Sequence, residues 1–203
     1  MSQRGRFICL LRRATRAGLG VGLVALAAGR SAAADERILA IDAAATKIAF
    51  TLGATFHTVH GSLQLAHGEI RFDPAGGAAS GEIVVDARSA QTGDSSRDAN
   101  MQRDVLESER FPTIVFRAEA LELLSRSETN AQVRLRGTLD MHGQRLPWEL
   151  PATLTTQGNR LAIASSFRVP YVDWGMHDPS SFLLRVDRFV DVTVRAEGTL
   201  GSP

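Results

Sequence analysis

From residue 38 onward, apolar and polar side chains alternate with a period of two. Ile48, Phe50 and Leu52 alternate with Ala49 and Thr51, and Val59, Gly61, Leu63 and Leu65 with His60, Ser62 and Gln64. Ile83 and Val85 alternate with Glu82, Val84 and Asp86, and Ile114 and Phe116 with Thr113, Val115 and Arg117. The pattern is sharpest where Val133, Leu135, Gly137, Leu139 and Met141 stand against Arg134, Arg136, Thr138, Asp140 and His142. It continues through Leu146, Trp148, Leu150, Ala152 and Leu154, then Leu161, Ile163, Ser165, Phe167 and Val169, and ends on Val190, Val192 and Val194. Successive strand residues point to opposite faces, so period two predicts strands with one dry and one wet face. Parallel strands covered on both faces read as continuous apolar runs, so the sheet is expected to be antiparallel. About eight strands close readily into a small barrel with no exposed edge.

The residues between the runs fit this reading. His67-Gly68, Asp73-Pro74 with Gly76-Gly77, Gly143-Gln144 and Gly158-Asn159 read as hairpin turns. Pro147 and Pro151 fall on the polar parity of one strand and predict bulges or a frayed edge. Residues 94–107 break the alternation: Met101 and Val105 lie four apart with Leu106 beside them, and Ser95 followed by Asp98 resembles a helix cap. The expectation is one short helix across a barrel end.

The amino terminus adds a compartment. Residues 1–16 hold Arg4, Arg6, Arg12, Arg13 and Arg16 and no acidic residue; an uncharged run over 17–29 follows, then Ser31-Ala32-Ala33-Ala34 before Asp35-Glu36. That order describes a secretory signal with cleavage after Ala34. The apolar run falls short of the ~20 residues that a membrane-spanning helix needs. Arg12-Arg13 point to the twin-arginine route, while Ala14-Thr15-Arg16 fit it poorly, so both export routes stay open. The expected organisation is a signal over 1–34, one domain over 35–203 and a periplasmic location. The signal carries six arginines and no acid, so the rest has 17 basic and 22 acidic side chains and a charge near −5. An acidic domain lacks the basic face that nucleic acid demands. Cys9 is the only cysteine. The exported domain thus has no disulfide and no thiol chemistry, and its stability rests on its core.

A search for reacting groups returns little. There is no G-x-S-x-G elbow, no phosphate-binding glycine loop and no H-E-x-x-H. His57 and His60 are three apart and would point to opposite faces of a strand, and Asp140 and His142 share the outward face. Solvated polar residues are the reading preferred for both pairs, with no metal and no cofactor. Arg97-Asp98 and the aromatic loop over 171–180 hold more interest. In that loop Tyr171 and Trp174 either form an amphipathic lip over an apolar ligand or plug a barrel end as core.

The ordered set of segments resembles the YceI-like family of periplasmic proteins across nearly all of residues 38–200. The carriers are His60-Gly61-Ser62-Leu63, then Glu69-Ile70-Arg71-Phe72-Asp73, and Ser89-Ala90-Gln91-Thr92-Gly93 leading to Arg97-Asp98. The run from Val105 through Arg110-Phe111-Pro112-Thr113 to Phe116, and Arg136-Gly137-Thr138-Leu139-Asp140-Met141-His142-Gly143, complete it. The resemblance implies a lipocalin-like antiparallel barrel whose apolar interior binds a polyisoprenoid chain, with a quinone tail as a variant and a membrane protein as donor or acceptor. Two departures stand out. Many relatives carry a histidine where this chain reads Leu52-Gly53-Ala54, and a basic motif where it has residues 171–180.

Pattern and resemblance meet at the dry-parity residues. Phe50, Leu52, Leu63, Phe72, Ile83, Val85, Phe116, Val133, Leu135, Leu139, Trp148, Leu150 and Phe167 are the expected wall of an apolar interior. Burial of a prenyl tail at about 0.8 kcal/mol per methylene supplies affinity but no choice among prenyl lipids. Selectivity is therefore expected at a rim of His57, Arg97, Tyr171 and Trp174, where Arg97 either pairs a phosphate or bridges a neighbouring acid. The competing readings are a non-catalytic interaction module with a filled core and an exported hydrolase without a familiar motif.

Overall fold

Each alternating run of the sequence becomes a strand in the computed structural model, which describes residues 36–202. The export signal and cleavage point expected from the sequence fall outside the described residues. The strands are β1 (Arg37–Gly53), β2 (Thr58–Phe72), β3 (Gly77–Gln91), β4 (Thr113–Arg126), β5 (Asn130–Met141), β6 (Gln144–Gln157), β7 (Arg160–Val169) and β8 (Val190–Gly201). They pair antiparallel in sequence order, and β8 returns to β1 to close the barrel. One helix, α1 (Ser95–Asn100), continues into a π-type turn, Met101–Val105, between β3 and β4.

Three local expectations are corrected. His67-Gly68 is not a hairpin turn but lies inside β2, where the register with β3 shifts between Leu65 and His67. The extra residue changes parity, which is why Leu65 and Ile70, an odd number apart, are both buried. The helix cap is Asp94, one residue before Ser95: its carboxylate accepts the Arg97 N–H at 2.9 Å, and Ser95 is the first helical residue. Val84, on the polar parity, is buried on the outer face between its cross-strand neighbours His67 and Val115.

The prolines of β6 mark a split. β6 pairs with β5 without a break from Gln144 to Thr155, yet with β7 only from Thr153 to Gln157. Pro151 offers its carbonyl to the Ser165 hydroxyl of β7. A strand residue's N–H and C=O point the same way, so the N–H that Pro151 lacks is the one that would have reached β7. Pro147, four residues earlier, has the same orientation. Among the alternatives the sequence posed, the frayed edge is the one observed. Aromatic rings occupy the split: Trp148 meets Trp174 edge to face at 4.9 Å and Phe167 at 6.3 Å.

Candidate functional site

The barrel surrounds a cavity of about 980 Å³. Its wall comes from every strand, because the alternation delivers one apolar side chain inward every second residue. Phe50, Leu52, Leu63, Phe72, Ile83, Val85, Phe116, Val133, Leu135, Leu139, Leu150 and Phe167 all line it. Leu52, Ile83, Val85 and Phe167 stay partly accessible although they face inward. Among the described residues no large side chain is fully buried, and even Phe116 keeps 3% of its surface. A close-packed core leaves few voids larger than a water, so this interior is hollow.

Trp148 is the exception among the expected wall residues. It does not line the cavity but sits at the β6–β7 split against Trp174, where β6 has moved away from β7. Trp174 likewise is no lip: it is buried at 8% exposure and serves as the plug of that split. The pair closes by ring packing a gap that the prolines leave without backbone hydrogen bonds.

The polar lining is concentrated at one end. There the β1–β2 turn, α1 with its π-type turn, and the 170–189 connection meet. His57 lies in the turn before β2 rather than on a strand and lines the mouth, while His60 on the strand faces outward, 3.3 Å from the Thr51 hydroxyl. Arg97 reaches the mouth from α1. Its guanidinium donates to the Thr92 hydroxyl at 2.8 Å and to the Thr92 carbonyl at 3.3 Å, so threonine oxygens orient it. Asp98 accepts from the same Thr92 backbone N–H at 2.8 Å. The Thr92-Gly93 to Arg97-Asp98 segment is thereby a self-braced corner that carries Arg97 to the cavity.

Tyr171 lines the cavity and is buried, with its hydroxyl donating to the Asp187 carbonyl at 2.9 Å. Burial first, then the charges of Asp178 and Asp187, push its pKa up to about 12. The carboxylates nearby stay charged: the Arg97 backbone N–H lowers the pKa of Asp94, and the Arg103 side chain lowers that of Asp104. Both line the mouth, as do Asn100, Arg103 and His177. Arg97 apart, the helical part of this set was not among the expected rim residues. Its signal was present in the spacing of Arg97, Asn100 or Met101, and Asp104, which put them on one helical face.

Asp140 and His142 do not act together. Asp140 pairs with Arg145 at 2.9 Å and Arg117 at 3.5 Å. His142 is not solvated as expected: its side chain is 9% exposed, packs tilted against Phe111 at 4.6 Å and lies 3.2 Å from Glu107 Oε1, off the line of a hydrogen bond. Phe111 of the Arg110-Phe111-Pro112 segment thus seals the β5–β6 turn.

The family model described as YceI-like domain matches residues 39–198. No curated protein matches the chain. Among solved structures the chain is similar to BcnA of Burkholderia cenocepacia, at 16% identity over 78% of this chain and 99% of that one, with a TM-score of 0.65. It is also similar to a polyisoprenoid-binding domain from Saccharophagus degradans implicated in plant cell wall breakdown, at 16% identity over 81% and 98%, with a TM-score of 0.62. A Campylobacter jejuni YceI protein follows at 15% identity over 72% and 84%, with a TM-score of 0.52. At these identities the likeness is one of fold.

Proposed function

The chain belongs to the YceI-like domain family, and from that premise we propose that it is an exported, non-enzymatic binding protein of the periplasm that holds a polyisoprenoid or similar long apolar chain inside its barrel. The observation that carries this reading is a cavity of about 980 Å³ with apolar walls along its length and charged groups gathered at one mouth. A site of that volume and lining suits a ligand with a long tail and one polar end. The solved relative described as polyisoprenoid-binding has the same fold. The hollow interior weighs against the filled-core module. Arg97, with His57 and His177 in the same cavity lining, is the group offered to a headgroup phosphate or carbonyl.

Mass spectrometry of the gently purified protein is expected to find a prenyl-type lipid in stoichiometric amount. Val85 and Leu135 both line the cavity, so Val85→Phe and Leu135→Trp fill space that the tail would occupy. In a packed core such additions cost about 1–3 kcal/mol. Here the delipidated variants are expected to melt near the wild type and to carry little lipid. Wild-type protein free of lipid, together with both variants strongly destabilised, would return the reading to an interaction module.

A further inference from the structure

The mouth of the cavity carries the barrel's most exposed large apolar side chains. Among the described residues, Phe182 is 98% exposed, Phe56 78% and Leu183 76%. Phe56 stands at the tip of the β1–β2 turn, and Phe182 and Leu183 at the tip of a turn within the 170–189 connection. These tips are held out, not left loose. The Thr55 N–H donates to the Arg185 carbonyl at 2.9 Å, and the Arg185 N–H donates to the Thr55 hydroxyl at 2.9 Å. Ala54 and Val186 form a β-bridge beneath them, and the Ser181 N–H closes its turn on the Leu184 carbonyl at 2.7 Å. The residues at the base of both tips, Ala54, His57, Leu184 and Val186, line the cavity. Bare apolar tips and cavity mouth are therefore one continuous structure.

We propose that these two tips dock the barrel mouth onto a lipid bilayer surface, where the cavity exchanges its apolar chain with the membrane. The proposal rests on the carrier reading, since a chain too apolar for water has to be taken up and released at a lipid surface. Two short tips with three exposed apolar side chains between them fall well short of the ~800 Å² per partner typical of a stable protein interface. Insertion into a bilayer interface asks only for exposed apolar bulk over a polar belt. The belt is present and holds charges of both signs in ion pairs: Arg188 pairs with Asp173 at 2.8 Å, and Arg103 with Asp104 at 2.6 Å. Contact is thus expected to depend on apolar insertion, with little demand for anionic headgroups. The rest of the barrel stays in water. Its outer face carries the ion pairs of Arg134 and Arg136 with Glu122 and Glu149, unlike the apolar outer band of a membrane-spanning barrel.

The test is co-sedimentation of the purified protein with phosphatidylcholine vesicles, with and without phosphatidylglycerol. The wild type is expected to bind both within about threefold of each other. Phe56→Ser, Phe182→Ser and Leu183→Ser should each lower partitioning on the order of tenfold, and the triple variant should abolish it. Because these side chains are exposed, the triple variant should melt with the wild type. Phe182→Trp should shift its emission to the blue on adding vesicles and be quenched by brominated lipid. Wild type left in the supernatant, binding confined to anionic vesicles at low salt, or a triple variant that binds undiminished would overturn the proposal. Self-association that the triple variant loses, with no vesicle binding, would assign the tips to a second copy and overturn it too. The carrier reading fails separately: vesicle binding that persists while no lipid is ever held in solution refutes the carrier and not the docking.

Discussion

Tyr171 illustrates how one residue acquires two duties from its position. It is the only tyrosine of the chain, it closes part of the cavity wall, and its hydroxyl ties the 170–189 connection to the Asp187 carbonyl. Burial pushes its pKa up to about 12. An unfolded tyrosine ionises near 10, so at higher pH the unfolded state loses its proton first. Its share of stability is whole below about pH 10 and is lost as pH rises toward 12. Phenolate absorbance, which reports this residue alone, is expected to titrate well above the ordinary midpoint, and Tyr171→Phe should remove the alkaline part of the melting curve. A midpoint near 10 would mean that the ring is not buried.

At the scale of elements, the helical segment helps to frame the mouth and the tryptophan pair seals the β6–β7 split. Gln102, on the π-type turn, lies with Nε2 at 3.3, 3.1 and 2.9 Å from the carbonyls of Ala87, Arg88 and Ala90 and so pins that turn to the end of β3. Gln102→Ala leaves those carbonyls without this donor and is expected to cost about 1–3 kcal/mol. Faster amide exchange confined to residues 95–105 would locate the loss in this element, and unchanged exchange would refute the clamp. The split depends on its two tryptophans, the only ones in the chain. Trp174→Ala should cost about 3–5 kcal/mol, as expected for a buried tryptophan. Trp174→Phe should cost far less while removing the near-ultraviolet dichroism of the edge-to-face pair. A null effect of Trp174→Ala on melting would place that ring outside the seal.

For the whole described barrel, closure makes its first and last strands interdependent. β8 pairs with β1 from Ile38 to Thr51 and with β7 from Arg160 to Val169, and its Val190, Val192, Val194 and Ala196 complete the cavity wall. Deleting residues 190–203 therefore exposes two edges and opens the cavity along its length. The truncated protein is expected to lose its cooperative thermal transition and to bind apolar dyes. A cooperative melt close to the full chain's would mean that the barrel does not need closure.

Alternation of side chains determined the strands, their antiparallel pairing and the inward set from Phe50 to Phe167, because period two assigns a face to each residue without reference to partners. Two prolines on one parity also marked β6 for a bulge or a frayed edge, since a residue without an N–H cannot complete a ladder, and the structure chose the second. Parity alone did not reveal the bulge at Ala66, between Leu65 and His67, because an extra residue in one strand is only visible against its neighbour. Nor did it separate Trp148 from Leu150, two residues on the same face: which one meets the cavity depends on where β7 parts from β6. Trp174 remained open between lip and plug until the split was in view. That the interior is hollow was decided only by the closed barrel, whose circumference is set by strand number and stagger, independent of the volume of the side chains directed into it.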